Sequence, residues 1–353
     1  MHVTLSTRIY LALAVAGALL PLDGMASRMV CAEQGASRSI GRVQRLDPTL
    51  DGFVPEDARM EVICEGLAWC EGPVWVRDGR FLLFSDIPNN AIMRWDQKSG
   101  CSLYLKPAGY TGVLPRGGET GSNGLALTND GRRLILCQHG DRRVARLDSL
   151  GGSPQAEFVT IADRYEGKRF NSPNDAVVHS SGAIYFTDPP YGLEKNTDDP
   201  AKELPFQGVY RIAPDSKVTL LTTDLERPNG IALSPDEKTL YVANSHGPRP
   251  IIMAFPVKDD GTLGEGREFF SARQLTQEYE GACDGMTVDE HGNVFATVPG
   301  GVAVLSPHGK HLGTLLTGKR TSNCTFGENG ATLFITADDC LLRVRLATKG
   351  VDF

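Results

Sequence analysis

Positive charge is in short supply in this sequence. Its 36 lysines and arginines face 43 aspartates and glutamates, for a formal charge of −7 and a pI near 5.6. That balance argues against a nucleic-acid binder, which needs a basic face. Beyond residue 22 there is no apolar run long enough to cross a membrane. No two cysteines have the C-x-x-C spacing of a zinc site. No G-x-S-x-G elbow is present, which argues against a serine hydrolase of that type. The glycine-rich stretch "RGGETG", from Arg116 to Gly121, lacks the G-x-x-x-x-G-K-[ST] pattern of a phosphate loop.

What remains is ordinary for a globular protein: 353 residues, 41% hydrophobic and 22% charged. The N-terminus reads as a targeting segment. Arg8 precedes an apolar run over residues 9–22, and Gly24-Met25-Ala26 supplies small residues for cleavage. Cleavage after Ala32 is an alternative, and an uncleaved anchor a third, although the run is short of the ~20 residues a span needs. The expected layout is a signal peptide over 1–26, an irregular lead-in over 27–58 and one domain over 59–353. A periplasmic or secreted location follows, with no membrane attachment after cleavage. Export permits disulfides among the eight cysteines. The apolar settings of Cys70, Cys137, Cys283 and Cys324 instead suit buried free thiols.

One phrase recurs six times. It begins "EGPVW" at Glu71, "NGLAL" at Asn123, "NDAVV" at Asn174, "NGIAL" at Asn229, "DGMTV" at Asp284 and, more loosely, "NCTF" at Asn323. The starts lie 52, 51, 55, 55 and 39 residues apart, periods that mark propellers, solenoids or arrays. A glycine follows eight residues after the lead residue at Gly79, Gly131, Gly182 and Gly292; Glu237 holds that place in the fourth copy. In the last copy Gly330 comes one residue early, so Ser322 rivals Asn323 as its lead. Each copy holds strand-like runs joined by turns, such as Leu125-Ala126-Leu127 and Leu134-Ile135-Leu136. Six copies of four strands predict an all-β, six-bladed propeller with a central channel. The sixth copy has only three strands, and residues 60–64 would supply its fourth and close the ring. An open solenoid would need capping repeats, and the sequence offers none.

In a propeller the innermost strands all begin near the axis, so residues at one offset form a ring. Here the ring reads Glu71, Asn123, Asn174, Asn229, Asp284 and Asn323 or Ser322. Carboxylate and amide oxygens around one small space make a cage for a hard cation such as calcium. The absence of histidine and cysteine from the ring argues against zinc and copper. The competing explanation is that each Asn or Asp makes a local side-chain turn. The ends of the second strands would place Asp86, His139, Asp188 and His246 around the mouth. Of these, His139 and His246 could bind a polar substrate or shuttle a proton, or be loop histidines that fix backbone, and Asp188 could contact substrate or hold the turn before Pro189 and Pro190. Residues 191–206 would form a polar rim.

The phrases "EGPVW", "SNGLAL", "RFNSPND", "YFTDPPYG", "RPNGIALSPD", "CDGMTVDEHGNVF" and "NCTF" together resemble the senescence-marker-protein/gluconolactonase (regucalcin-like) family, over most of residues 71–339. The wording around "FTDPPYG" and "CQHGDRRV" is similar to the bacterial gluconolactonases. The resemblance implies a propeller holding one divalent ion, commonly calcium, with magnesium, manganese or zinc as alternatives. It implies Glu71, Asn174, Asn229 and Asp284 as ligands, and Asp284 also as general base or nucleophile. Asn123, His139, Asp188 and His246 are the substrate candidates. The implied reaction is opening of a sugar lactone, glucono-1,5-lactone first. In the animal-type pattern an arginine two residues before the Asn-Asp pair helps bind substrate; Ser172 stands there in this sequence. Two rivals are a quinone-dependent sugar dehydrogenase and a non-catalytic binding propeller with a structural metal.

Overall fold

Six antiparallel sheets are arranged around one axis in a computed structural model that describes residues 38–351 and 353. The proposed signal segment and both cleavage sites lie outside the described residues. The first blade runs Cys70–Val76, Phe81–Asp86, Ala91–Asp96 and Gly100–Leu105. The second, third, fourth and fifth begin with Ser122–Leu127, Ala176–Val178, Pro228–Leu233 and Met286–Val288. The sixth takes Thr321–Gly327, Thr332–Ala337 and Cys340–Arg345 from the end of the chain. Met60–Glu65 completes it, pairing antiparallel with Cys340–Arg345 as the sequence predicts. Each blade's first strand touches the first strand of the next, and the sixth touches the first. The molecule is therefore a closed six-bladed propeller.

The lead-in is less irregular than expected. Arg42–Arg45 adds a fifth strand to the fifth blade, and Ser39–Ile40 adds one to the sixth. Their short, mixed sequences carry no clear alternation, and the partner strands' free edges decide their conformation.

Apolar side chains fill the wedges between blades. At the closing seam Trp75 of the first blade stacks on the fully buried Phe334 of the sixth, with centroids 5.6 Å apart, and Trp95 packs on the same ring. A disulfide between Cys64 and Cys101, with Cα atoms 6.0 Å apart, links the outer strands across that seam. Cys70, Cys137, Cys283 and Cys324 are free and buried, as expected.

Turn chemistry explains the glycine eight residues after the lead in three of the four copies that have it; in the first copy Arg80, one residue after Gly79, takes the positive φ. Gly131, Gly182 and Gly292 have φ of +67°, +83° and +80°, where a side chain is disfavoured. In the fourth copy Glu237 takes φ +56°. Its carboxylate accepts the Ser180 N–H at 2.7 Å, which offsets part of the strain.

The glycine directly after the lead residue has a different cause. A Cβ on Gly230 would lie 2.2 Å from the Asp284 carbonyl oxygen and 2.5 Å from Gly285 Cα. The blades approach so closely at the axis that only hydrogen fits. Gly230→Ala is expected to destabilise the protein by roughly 1–3 kcal/mol, as overpacking does, and to displace Asp284. Urea unfolding checks this; a midpoint equal to the parent's would contradict it.

Candidate active site

The lead residues reach the axis because the first strands start irregularly. The strand register shifts between Glu71 and Val74, between Ser122 and Leu125, and between Pro228 and Ile231. Such bulges turn a side chain out of the pleat. Asn174 and Asp284 sit two residues before Ala176–Val178 and Met286–Val288, and their N–H groups donate to Thr187 O at 2.8 Å and Thr297 O at 3.1 Å on the second strands, in the same offset start. Hydrogen bonds to lead-residue carbonyls then stitch the ring from blade to blade. Gly124 N–H donates to Asn174 O at 2.7 Å, Ser85 Oγ to Asn123 O at 2.8 Å and Thr187 Oγ1 to Asn229 O at 2.7 Å. In the sixth blade the acceptor of the equivalent bonds is Ser322, which receives Gly285 N–H at 2.7 Å and Thr297 Oγ1 at 3.0 Å. Ser322 is thus the sixth ring member, and Asn323 falls one layer behind.

That second layer holds Gly72, Gly124, Gly230 and Gly285, together with Asp175 and Asn323. A Cβ on Gly285 would lie 1.9 Å from Asn323 Cγ, and one on Gly124 would lie 2.4 Å from Asp175 Oδ1. The two larger side chains fill the space that the glycines leave. Burial raises the Asp175 carboxyl to about 6, against hydrogen bonds from Ala176 N–H, Ile231 N–H and the Asn323 side chain. Behind this layer a cavity of about 920 Å³ opens at the far end of the first strands, past Val74, Leu125 and Val177. None of the five Glu, Asn and Asp side chains of the ring lines it.

The ring has oxygen to spare. Asn123 Oδ1, Asn174 Oδ1 and Asp284 Oδ1 are buried without a hydrogen-bond partner. Each such group costs roughly 1–3 kcal/mol if left unmet. Glu71 is held well above the usual carboxylate range, first by burial, then by the charges of Asp284 and Asp175. Asp284 is partly open to the mouth, yet it is also held well above that range. Loss of water is the main cause, followed by Asp175 and Glu119; Gly285 N–H and the Asn229 side chain oppose it. Unmet amide oxygens beside crowded carboxylates fit a hard divalent ion. Among the described residues no three His, Cys, Asp or Glu side chains gather into a metal cluster. A cation here must therefore use amide oxygen as well as carboxylate.

The substrate candidates are placed unequally. Asn123 is in the ring. His139 is fully buried, with Nε2 3.4 Å from Asn174 Nδ2. Asp188 is fully buried and engaged by backbone: its oxygens accept Asn171 N–H at 2.8 Å and Ser172 N–H at 2.7 Å, and burial raises it to about 7. Asp86 likewise accepts Ala68 N–H at 3.1 Å and Asn89 Nδ2 at 2.7 Å. His246 pairs across its hairpin with Arg249. The neighbouring Ser245 is what reaches the ring, accepting Asn229 Nδ2 at 3.0 Å.

Three functional candidates escaped the sequence reading. Glu119, within "RGGETG", sets Oε2 2.9 Å from His139 Nδ1. Tyr191, which begins the polar rim, hydrogen-bonds Ser245 Oγ at 2.9 Å, and burial raises its phenol to about 12. Asp175 did carry a signal, being the residue after a lead where four copies have glycine.

Residues 69–339 match the family model for the SMP-30/Gluconolactonase/LRE-like region. The chain is 41% identical over 319 residues to a gluconolactonase of Zymomonas mobilis, with 88% of each chain covered. A solved gluconolactonase from Xanthomonas campestris superposes with a TM-score of 0.75 at 33% identity, over 88% of this chain and 98% of that one. A calcium-binding regucalcin from Agrobacterium tumefaciens shares the fold at 19% identity, with a TM-score of 0.62 over 82% of this chain and 94% of its own.

Dialysed protein is expected to take up one divalent ion per chain. Glu71→Gln should weaken that uptake, and excess cation should partly restore activity. Elemental analysis with calcium titration checks both, and a parent that neither retains nor rebinds a cation would contradict them.

Proposed function

The chain belongs to the SMP-30/Gluconolactonase/LRE-like family, and on that premise we propose that it is a lactone hydrolase opening glucono-1,5-lactone to gluconate, with one divalent cation, calcium first, held by Glu71, Asn174, Asn229 and Asp284. The observation that carries this reading is the set of unpartnered buried oxygens on one ring, Asn123 Oδ1, Asn174 Oδ1 and Asp284 Oδ1. A dehydrogenase or a purely structural propeller gives no reason for the chain to resemble gluconolactonases over 88% of its length.

When bound, the cation would polarise the lactone carbonyl and offset the negative charge that develops on its oxygen. The protein supplies the proton handling. Asp284 keeps one oxygen free of hydrogen bonds, while Gly285 N–H and the Asn229 side chain steady the carboxylate. The free oxygen takes a proton from a water attacking the carbonyl carbon. The ring C–O bond then breaks, and the proton passes to the departing ring oxygen, leaving a hydroxy acid. In a second route an Asp284 oxygen attacks the carbonyl carbon, the ring C–O bond breaks as its oxygen takes a proton from water, and the hydroxide left cleaves the mixed anhydride, restoring the Asp284 carboxylate and releasing the hydroxy acid. Asn123 Oδ1, buried and unpartnered, is placed to accept a substrate hydroxyl. Glu119 and Tyr191 bring two rim loops together over the ring, through Glu119 N–H donating to Tyr191 O at 3.4 Å.

Export belongs to the same reading and rests on Arg8 and the apolar residues 9–22. The mature chain should begin near Ser27 or Glu33. Recovery of Met1 by N-terminal sequencing of cytoplasmic protein would overturn it.

The sharpest test of Asp284 separates chemistry from binding. Asp284→Asn keeps an oxygen ligand and nearly the same volume. At saturating cation its kcat should stay down by at least about 100-fold, the scale of a lost general base. Recovery to within a few-fold of the parent would reduce Asp284 to a ligand. Asn123→Ala should bind the cation normally and mainly raise KM.

A further inference from the structure

The amide of Asn174 can offer either end to the channel axis, and its environment selects one. Asn174 Nδ2 lies 3.4 Å from His139 Nε2, while Oδ1 is buried and unpartnered. This direction requires His139 Nε2 to be a bare acceptor, which puts the imidazole proton on Nδ1. Glu119 Oε2 stands 2.9 Å from that Nδ1. The contact lies off the N–H direction, so it acts as a close charge contact and not as an aligned hydrogen bond. A carboxylate beside Nδ1 favours an N–H there and disfavours a lone pair. If Asn174 flipped, Oδ1 would face Nε2, the proton would move to Nε2, and the Nδ1 lone pair would meet the Glu119 charge.

We propose that Glu119 is a positioning residue of this site: through His139 it fixes the tautomer that holds the Asn174 nitrogen outward and presents the Asn174 oxygen to the channel. The inference deepens the reading of Asn174 as a cation ligand and rests on it. Partners behind a ligand set its orientation, and removing them typically costs roughly 10–100-fold in metal affinity. Asn229 needs no help from Glu119, because Ser245 and Asp284 both engage its side chain. The effect should therefore be specific to Asn174. Glu119 is also well suited to such a role by location. It lies on a rim loop, with its side chain 40% exposed, and its N–H meets the carbonyl of Tyr191 on the other rim loop.

The test uses the full chain labelled with 15N-histidine, with the His139 signals assigned by their loss in His139→Gln. Nitrogen NMR reads the tautomer without any metal, and calorimetric titration with calcium alone reads the affinity. In the parent His139 should carry its proton on Nδ1. Glu119→Gln keeps the side chain's size but can donate to Nδ1, so it should admit the other tautomer and weaken calcium binding by roughly 10-fold or more. Glu119→Ala should act in the same direction if the glutamine variant folds poorly. A parent His139 protonated on Nε2 would overturn the proposal. So would a Glu119→Gln protein whose tautomer and calcium affinity both match the parent's. A parent with the expected tautomer that responds to Glu119→Gln but binds no cation would support the hold on His139 and contradict the metal reading alone.

Discussion

The crowding of six sheets on one axis governs the rest of the molecule. At the ring the blades are joined through backbone carbonyls, and immediately behind it a Cβ would strike the next chain at Gly230 or the side chain of Asn323 at Gly285. With four glycines in that layer, Asp175 and Asn323 occupy the space behind the ring. The carboxylates of Glu71 and Asp284 are then crowded beside Asp175 and stripped of water. Three buried oxygens left unpartnered on one ring would be a large uncompensated cost for a fold whose net stability is on the order of 10 kcal/mol. A cation on Asn174 and Asp284 would offset most of that cost and the carboxylate repulsion together, leaving Asn123 for a substrate hydroxyl, which is why the site reads as a binding site and not as a packing defect.

Much of this was legible in the sequence because it follows from repetition. The lead residues recur at nearly constant spacing, so the propeller, its closing strand over Met60–Glu65 and five members of the ring could be read by offset alone. The sixth member could not. The interval before the last repeat is shorter by more than ten residues, and only the bonds from Gly285 and Thr297 distinguish Ser322 from Asn323. Glu119, Tyr191 and Ser245 were hidden for another reason. They come from loops and strand ends of three different blades, and their roles depend on where those segments converge. His246 illustrates the limit: titratable chemistry singled it out, whereas its uncharged neighbour Ser245 faces the ring.

The rim and the ring form one connected structure. Glu119 contacts His139, His139 contacts Asn174, Tyr191 contacts Ser245, and Ser245 contacts Asn229. The two outer residues meet each other through a backbone hydrogen bond. Sequence change in the rim loops can thus alter substrate fit and the presentation of ring oxygens together. This gives a physical reason why members of one family could keep the ring and differ in the lactone they open.

The central claim is that one ring of oxygens both holds a cation and opens a lactone. The direct measurement is the initial rate of glucono-1,5-lactone hydrolysis, followed by pH-stat with the uncatalysed rate subtracted. It is taken on dialysed protein, after chelation, and after calcium is added back in steps to one equivalent per chain. Catalysis should vanish on chelation and return in proportion to the calcium bound, levelling at one equivalent. Full turnover in chelated protein, or no turnover in calcium-saturated protein, would contradict it.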